Sequence, residues 1–525
     1  MSDYPVLIGG AWRPAKATKT FHAVNPATGQ PLPGTYPVSG WDDCDAALSA
    51  AADAARELRR ASPGAIAQFL TRFAERIEAG KDAIVEQAHL ETALPRAPRL
   101  ADVELPRTTG QLRQAADAAL EGSWALPTID TKNQIRSCFE PIGPVVVFGP
   151  NNFPFAFSGV AGGDFAAAIA AGNPVIAKAH PLHPGTGRLL AEAAVAALSG
   201  TGLPPATVQM IYKIDHQSGQ RLVSDNRVGA SAFTGSRTAG MALKSAADAA
   251  GKPIYLEMSS INPVVILPGA LAERGSKVAG EVASSCLMGG GQFCTNAGFL
   301  MLLADARTDQ FIDEVKNAFD AAQPPALLSE SVAKGLAESV KTLRGAGAQL
   351  LTAPDLVVSG ARYPNTLLRV TGQQFLAAPE RLQTEAFGST SLCVVARDAD
   401  EAEAVLSHLE GNLTGCIYSD TRGNDDALYA RLAPVLRHRV GRLLNDKMPT
   451  GVAVSPAMNH GGPFPATGHP GFTAVGIPAS LRRFGMLCCY DNVRHNRLPA
   501  ALRDESPNGR MWRLVDGRMT QDSLS

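Results

Sequence analysis

Between residues 145 and 258, short and almost wholly apolar runs alternate with longer stretches whose apolar positions recur at helical spacing. VVVFGP (145–150), VIAKAH (175–180), VQMIY (208–212), GASAFTG (229–235) and PIYLEM (253–258) read as buried strands. Helices are predicted at the Gly/Ala-rich segment 159–172, at GTGRLLAEAAVAALSGTG and at SRTAGMALKSAADAAG. Strands that are apolar on both faces, separated by helices of about 10–15 residues, predict a parallel sheet with helices on each side.

A second series of this kind starts near Asn262. It runs through VVILPGA, a small-residue helix containing Cys286, GFLMLL (298–303) and a helix at DQFIDEVKNAFDAA, with later strands SLCVVA (391–396) and TGCIYS (414–419). Upstream, the first 35 residues carry short strands and turns, and helical periodicity holds from Asp42 to Ala79 and from about Lys81 to Ala119. The segment from about Trp124 to Pro141, with alternation in TKNQIRSCFE, predicts a hairpin. The Pro/Gly-rich tract from Pro449 to Pro478 is expected to be irregular but ordered, because Phe464, Phe472 and Val475 can be buried. The polar tail after about Asp504 is expected to be mobile in part.

With 525 residues, the chain exceeds what one core supports and implies two or three domains. Its 45% hydrophobic and 18% charged residues are ordinary for a globular protein, and the net charge of -1 is spread without a basic block. Nucleic acid and anionic membranes are therefore not expected as partners. No charged segment leads into an apolar one at the N-terminus, and the apolar runs are too short to span a bilayer, so a cytoplasmic location is expected. Eight scattered cysteines, with no CxxC pair and no histidine at zinc spacing, read as reduced thiols and predict no metal site.

Three segments suggest chemistry. In GGGQFCTNAG, Cys294 follows a glycine-rich turn between Gln292 and Thr295, where backbone N–H groups can lower a thiol pKa and stabilise an oxyanion. PIYLEMSSINPV places Glu257 at the end of a strand, where α/β folds hold ligands. VVVFGPNNFPFAF places the Asn152 amide in a turn framed by Pro150 and Pro154, suited to donating to an oxyanion. Taken singly, each fits a bland role as well: a core cysteine, a helix-capping carboxylate, a turn asparagine.

Together, NNFP, AKAH, FTGS, LEMSS, GGGQFC and TEAFG occur in the order and approximate spacing of the aldehyde dehydrogenase superfamily, and the resemblance runs from LIGGAW to GGPFPATG. It implies an α/β fold with two parallel-sheet α/β domains and a small β-hairpin oligomerisation arm. The implied dinucleotide-binding domain is 1–123 with 143–257, the catalytic domain 258–480, and the arm with the C-terminal segment 124–142 and 481–525. It further implies that Cys294 is the nucleophile, that Glu257 activates water, and that Asn152 and the Cys294 N–H hold the oxyanion. Lys178 would contact the adenosine ribose, and Gly235 and Ser236 would lie near the pyrophosphate. Glu385 and Phe387 would hold the nicotinamide ribose and ring, with Phe148, Gly149, Pro150, Asn151 and Met258 completing the cofactor site. The ordinary G-x-G-x-x-G fingerprint is absent, in agreement with this family's own mode of dinucleotide binding.

The chain departs from the family pattern in two places. Where NAD-preferring members often carry a glutamate, this chain has Pro181, and YKIDHQSG brings Lys213, together with His180, towards the same ribose. Losing an anion and gaining a cation predicts NADP, with NAD as the alternative. The LEMSS, NNFPFAF and KAHPLHPGTG segments resemble a narrower branch, the α-ketoglutaric semialdehyde dehydrogenases and their NADP-linked relatives. That branch implies a small aldehyde bearing a carboxylate and a 2-oxo group, with Arg107, Gln111 and His460 as candidate lining residues. A long-chain or aromatic aldehyde is the alternative on the same fold. A CoA-acylating enzyme is disfavoured by Glu257, and a non-catalytic binding protein by Cys294 together with Glu257. The resemblance also implies a homodimer or homotetramer built through the arm.

Overall fold

The computed structural model describes residues 3–17, 19–352 and 358–524. The five strands expected between 145 and 258 form the parallel body of a seven-stranded sheet, in the order Ile254–Glu257, Ala230–Thr234, Val145–Phe148, Val175–Lys178, Val208–Ile211. The N-terminal strands Val6–Ile8 and Ala11–Arg13 add an antiparallel edge, Leu7 pairing with Met210. Helices cover both faces. Pro63–Ala79 starts with Pro63 behind a capping Ser62, and its buried Phe73 stacks on Phe69 and meets Phe165 of the helix Gly163–Ala170 edge-on.

The helix expected over 159–172 is shorter than its composition suggests, because residues 158–162 fold back against their own strand. A Cβ at Gly149 would lie 2.6 Å from the Gly159 nitrogen, and one at Gly162 would lie 2.5 Å from the Phe157 carbonyl carbon. These glycines serve close backbone packing, not helix.

A second seven-stranded sheet runs Gln349–Leu350, Thr366–Thr371, Thr390–Ala396, Phe299–Leu303, Pro263–Ile266, Asn412–Tyr418, Val440–Asn445 and is parallel except at its first, two-residue strand. Sequence reading did not find the strands Thr366–Thr371 and Val440–Asn445 or the helix Glu330–Gly345.

The predicted hairpin forms from Thr128–Asp130 and Ile135–Pro141 and joins a five-stranded sheet. Ile135–Pro141 pairs antiparallel with Gly485–Asp491 over seven positions. The tail is a correction to expectation. Arg513–Val515 and Arg518–Thr520 form two more strands, and fully buried Arg513 donates to the carbonyls of Arg503, Asp504 and Asp522. The tract 449–478 is irregular, as expected, with Phe472 and Val475 buried, but Phe464 is exposed beneath the Arg237 guanidinium. Among the described residues, no helix is long and apolar enough to cross a membrane.

Candidate active site

The strand register aligns the chemistry along one edge of the first sheet. Phe148 pairs with both Lys178 and Phe233, and Thr234 pairs with Glu257, so the carboxyl ends of four strands lie side by side. Past Glu257, an isolated bridge to Thr467 and the bond from Met258 N to the Ala466 carbonyl tie this edge to the irregular tract 449–478. That tract delivers His460, whose backbone N–H donates to Thr473 Oγ1 at 3.0 Å. The His460 Nε2 atom lies 3.0 Å from Glu257 Oε1 and 3.4 Å from Cys294 Sγ. Sequence reading placed His460 on the wall of a funnel. It is instead fully buried between the other two groups. Nothing in the sequence could reveal this, because the contacts span 203 and 166 residues.

Cys294 is reached through Gly289, Gly290 and Gly291, with φ of 57°, 68° and 69°, a left-handed run that only glycine adopts cheaply. A Cβ on Gly291 would also lie 2.1 Å from the Gly388 carbonyl oxygen. Asn262 Nδ2 holds the far side of the turn by donating to the carbonyls of Cys294 and Asn296, both at 2.9 Å. Burial pushes the Cys294 thiol well above its ordinary range, the Glu257 charge pushes it further, and Arg107 offsets part of the shift. These surroundings disfavour the thiolate, against the expectation of an acidified thiol, and His460 Nε2 is a close polar neighbour of the sulfur.

The Asn152 amide is buried and donates to the Gln292 carbonyl at 2.9 Å. Among the described residues it makes that one donor bond, and an amide has two N–H groups. Arg99 sets the loop from outside: its guanidinium donates to the Asn152 carbonyl at 3.0 Å and lies 4.4 Å from the centre of the Phe153 ring and 5.4 Å from that of Phe293. Arg99 is ion-paired to fully buried Glu104, which accepts from the Phe155 and Ala156 N–H groups at 2.8 and 3.0 Å.

A cleft of about 470 Å³ opens over these groups. Pro150, Asn151, Asn152, His180, Gly235, Ser236, Glu257, Met258, Cys294, Glu385 and Phe387 line it, whereas Phe148, Gly149, Lys178 and Lys213 lie outside the lining. Thr234 and Ser259, beside residues already singled out, also line it, as do Val332, Gly335, Leu336 and Ser339, which were missed because their helix was not recognised. Ser236 caps the helix Arg237–Ala249, so free N–H groups face the cleft there. Burial and the neighbouring Lys213 charge push the Lys178 ammonium down to about 8. His180 stacks on His183, whose Nε2 lies 3.0 Å from the Pro150 carbonyl. Burial pushes the Glu385 carboxyl up to about 7, held back by the Ser259 hydroxyl and the Ser260 N–H. A helix N-terminus for phosphates, paired cations beyond it and a carboxylate near Cys294 fit a dinucleotide laid along the cleft.

Arg107 and Gln111 meet, one helical turn apart, with Arg107 Nε donating to Gln111 Oε1 at 3.1 Å. Gln111 is buried and donates to the Ala156 carbonyl, so it supports Arg107 and does not face the cleft. Arg107 Nη1 donates to the Val452 carbonyl at 2.6 Å and its guanidinium lies over Phe157, but buried Nη2 has no partner. Arg442, which sequence reading missed, donates to the Pro449 carbonyl at 2.8 Å, and its charge also acts on Cys294.

The family model "Aldehyde dehydrogenase family" matches residues 12–437. The chain is 40% identical to alpha-ketoglutaric semialdehyde dehydrogenase 2 of Azospirillum brasilense, with 98% of each chain covered. It is 35% identical to alpha-ketoglutaric semialdehyde dehydrogenase of Acinetobacter baylyi, covering 97% of this chain and 98% of the other. Among solved structures it is similar to PnpE in complex with nicotinamide adenine dinucleotide, at a TM-score of 0.79 and 20% identity over 94% of this chain and 98% of that one.

Proposed function

The chain belongs to the aldehyde dehydrogenase family and oxidises an aldehyde with NAD(P), and from that premise we propose that its substrate is α-ketoglutaric semialdehyde, its product 2-oxoglutarate and its preferred cofactor NADP. The observation that carries the chemistry is the meeting of Cys294, His460 and Glu257 beside the Asn152 amide.

Loss of the Cys294 proton to the adjoining pair of His460 and Glu257 gives the thiolate. The thiolate adds to the aldehyde carbon, and the oxyanion of the thiohemiacetal is held by the second N–H of Asn152 and the Cys294 backbone N–H. A nicotinamide bound in the cleft would supply the hydride acceptor that the oxidation to a thioester needs. Glu257, whose Oε2 is buried without a protein partner, then takes a proton from water, and hydrolysis frees the acid and the thiol. Glu385 and Phe387 are suited to the nicotinamide ribose and ring, and the N-terminus at Ser236 to the pyrophosphate.

The proposed substrate carries a carboxylate, and Arg107 offers a buried N–H without an acceptor, whose charge already acts on Cys294 and Glu257. The two relatives named for this aldehyde support the same reading. Lys178, Lys213 and His180, with Pro181 in place of an acid, suit a 2′-phosphate. Eight unpaired cysteines fit a reducing compartment such as the cytoplasm. The edge strand Gly485–Asp491, with Met486 and Leu487 50% and 62% exposed, is where a second copy would pair.

A kinetic comparison of α-ketoglutaric semialdehyde with an uncharged alkanal and an aromatic aldehyde tests the substrate. The keto acid is expected to have the highest kcat/KM, and Arg107→Met to lower it by about 10–100-fold more than it lowers that of the uncharged aldehydes, since losing the charge beside Cys294 acts on every substrate. An enzyme that prefers the alkanal, or an Arg107→Met variant that keeps its preference for the keto acid, overturns the assignment.

A further inference from the structure

Beyond the proposed oxidation, the three groups that meet at the floor of the cleft satisfy the donor chemistry of a divalent soft-to-borderline metal. Among the described residues, Glu257, Cys294 and His460 are the one set of three whose potential ligand atoms all lie within 4.8 Å of one another. We propose that they form a site for a single Zn²⁺ ion, and that filling it shuts the enzyme off.

The geometry is close to what zinc needs. With bonds of about 2.0–2.3 Å and tetrahedral angles, zinc keeps its ligand atoms about 3.4–3.6 Å apart. Here Sγ to Nε2 is 3.4 Å and Nε2 to Oε1 is 3.0 Å, and all three ligand atoms lie within 4.8 Å of one another, so an ion enters once the Glu257 carboxylate turns towards the sulfur. One imidazole nitrogen, His460 Nε2, is close to both other ligands, and binding the ion there takes the tautomer that carries its proton on Nδ1. Glu257 Oε2 is buried and unpartnered, leaving the carboxylate free to turn either oxygen to a metal. The fourth position opens to the cleft, because Cys294 and Glu257 both line it.

The charges allow it as well. Arg107 and Arg442 both act on Cys294 and oppose a bare cation. Thiolate and carboxylate together neutralise Zn²⁺, so the arginines meet a neutral site. One proton leaves per ion, that of the Cys294 thiol, and passes to solvent. The thiolate sets the selectivity, favouring zinc over magnesium or calcium. With zinc in place the sulfur lone pair is engaged, His460 cannot accept a proton, and Glu257 cannot reach water. The inference depends only on the placement of the three side chains, so it stands or falls independently of the identity of the aldehyde.

The test uses the full chain and zinc chloride alone. At low micromolar free zinc, equilibrium dialysis is expected to give one equivalent bound, displaced by EDTA. Alkylation of Cys294 by iodoacetamide, read on its own peptide to exclude exposed Cys489, should fall in proportion to the sites filled. Cobalt in place of zinc should give a thiolate-to-metal charge-transfer band in the near ultraviolet. Cys294→Ser and His460→Asn should each lose the equivalent, the serine variant changing one atom so that folding is preserved. A wild-type chain that binds no zinc, or zinc that stays bound in Cys294→Ser, overturns the site. Full protection in His460→Asn removes His460 from it and overturns the three-ligand geometry.

Discussion

A half-buried thiol facing a carboxylate is a poor nucleophile, since both desolvation and like charge disfavour its thiolate. The proposed mechanism answers this with His460, a contact 3.4 Å from the sulfur that the motif around Cys294 alone does not show. Cys294, Glu257 and Asn152 were legible because each follows a recognisable turn or strand end. His460 was legible as a neighbour of the site but not as the link between thiol and acid, which only the tertiary path of the tract 449–478 creates. Lys178 gives a pH prediction at this scale. Its ammonium form is disfavoured in the free protein, with a pKa of about 8. A 2′-phosphate dianion would restore it, so NADP binding takes up a proton above that pH. The Kd for NADP is expected to rise by about tenfold per pH unit above 8 while that for NAD stays nearly flat, and Lys178→Met should abolish the slope. Titrations of both cofactors from neutral to alkaline pH check this, and parallel profiles would count against a phosphate at Lys178.

Among elements, the strands of the first sheet were readable because runs such as VVVF are apolar on both faces and β-branched. The glycines at 159 and 162 hid the start of the helix Gly163–Ala170, as they look helical in an alanine-rich run yet serve a tight fold-back. The Arg96–Glu104 segment was read as ordinary helix but acts as a clamp. Arg99 ties the Asn152 carbonyl to the Phe153 and Phe293 rings, which pack edge to face with centroids 5.6 Å apart. Losing an oxyanion donor outright costs about 10²–10³ in rate, so loosening its support through Arg99→Met should lower kcat by about tenfold. In an Asn152→Ala background the same change should add less than about twofold, because there is no donor left to position. A double-mutant cycle on kcat/KM decides it, and additive losses would make Arg99 a general stabiliser.

For the whole molecule, the hairpin from 124 to 141 was legible as an arm, but the sheet it joins was not. Its other strands come from residues 485–520, a tail whose polarity suggested mobility, whereas Arg513 is buried and stitched to four carbonyls. That sheet ends on the exposed edge Gly485–Asp491, and a second copy adding its own edge would cover Leu487. Analytical ultracentrifugation is expected to find a dimer or larger assembly that dissociates on Leu487→Asp, and an unchanged mass would place the interface elsewhere.

The account depends most on the division of labour between sulfur and carboxylate, which intact-protein mass spectrometry of Glu257→Gln reads directly. Incubated with aldehyde and NADP, this variant should accumulate an acyl adduct on Cys294 together with about one equivalent of reduced cofactor, because the thioester forms but water is not activated. Steady turnover at the wild-type rate without an adduct, or an adduct on any other residue, would contradict it.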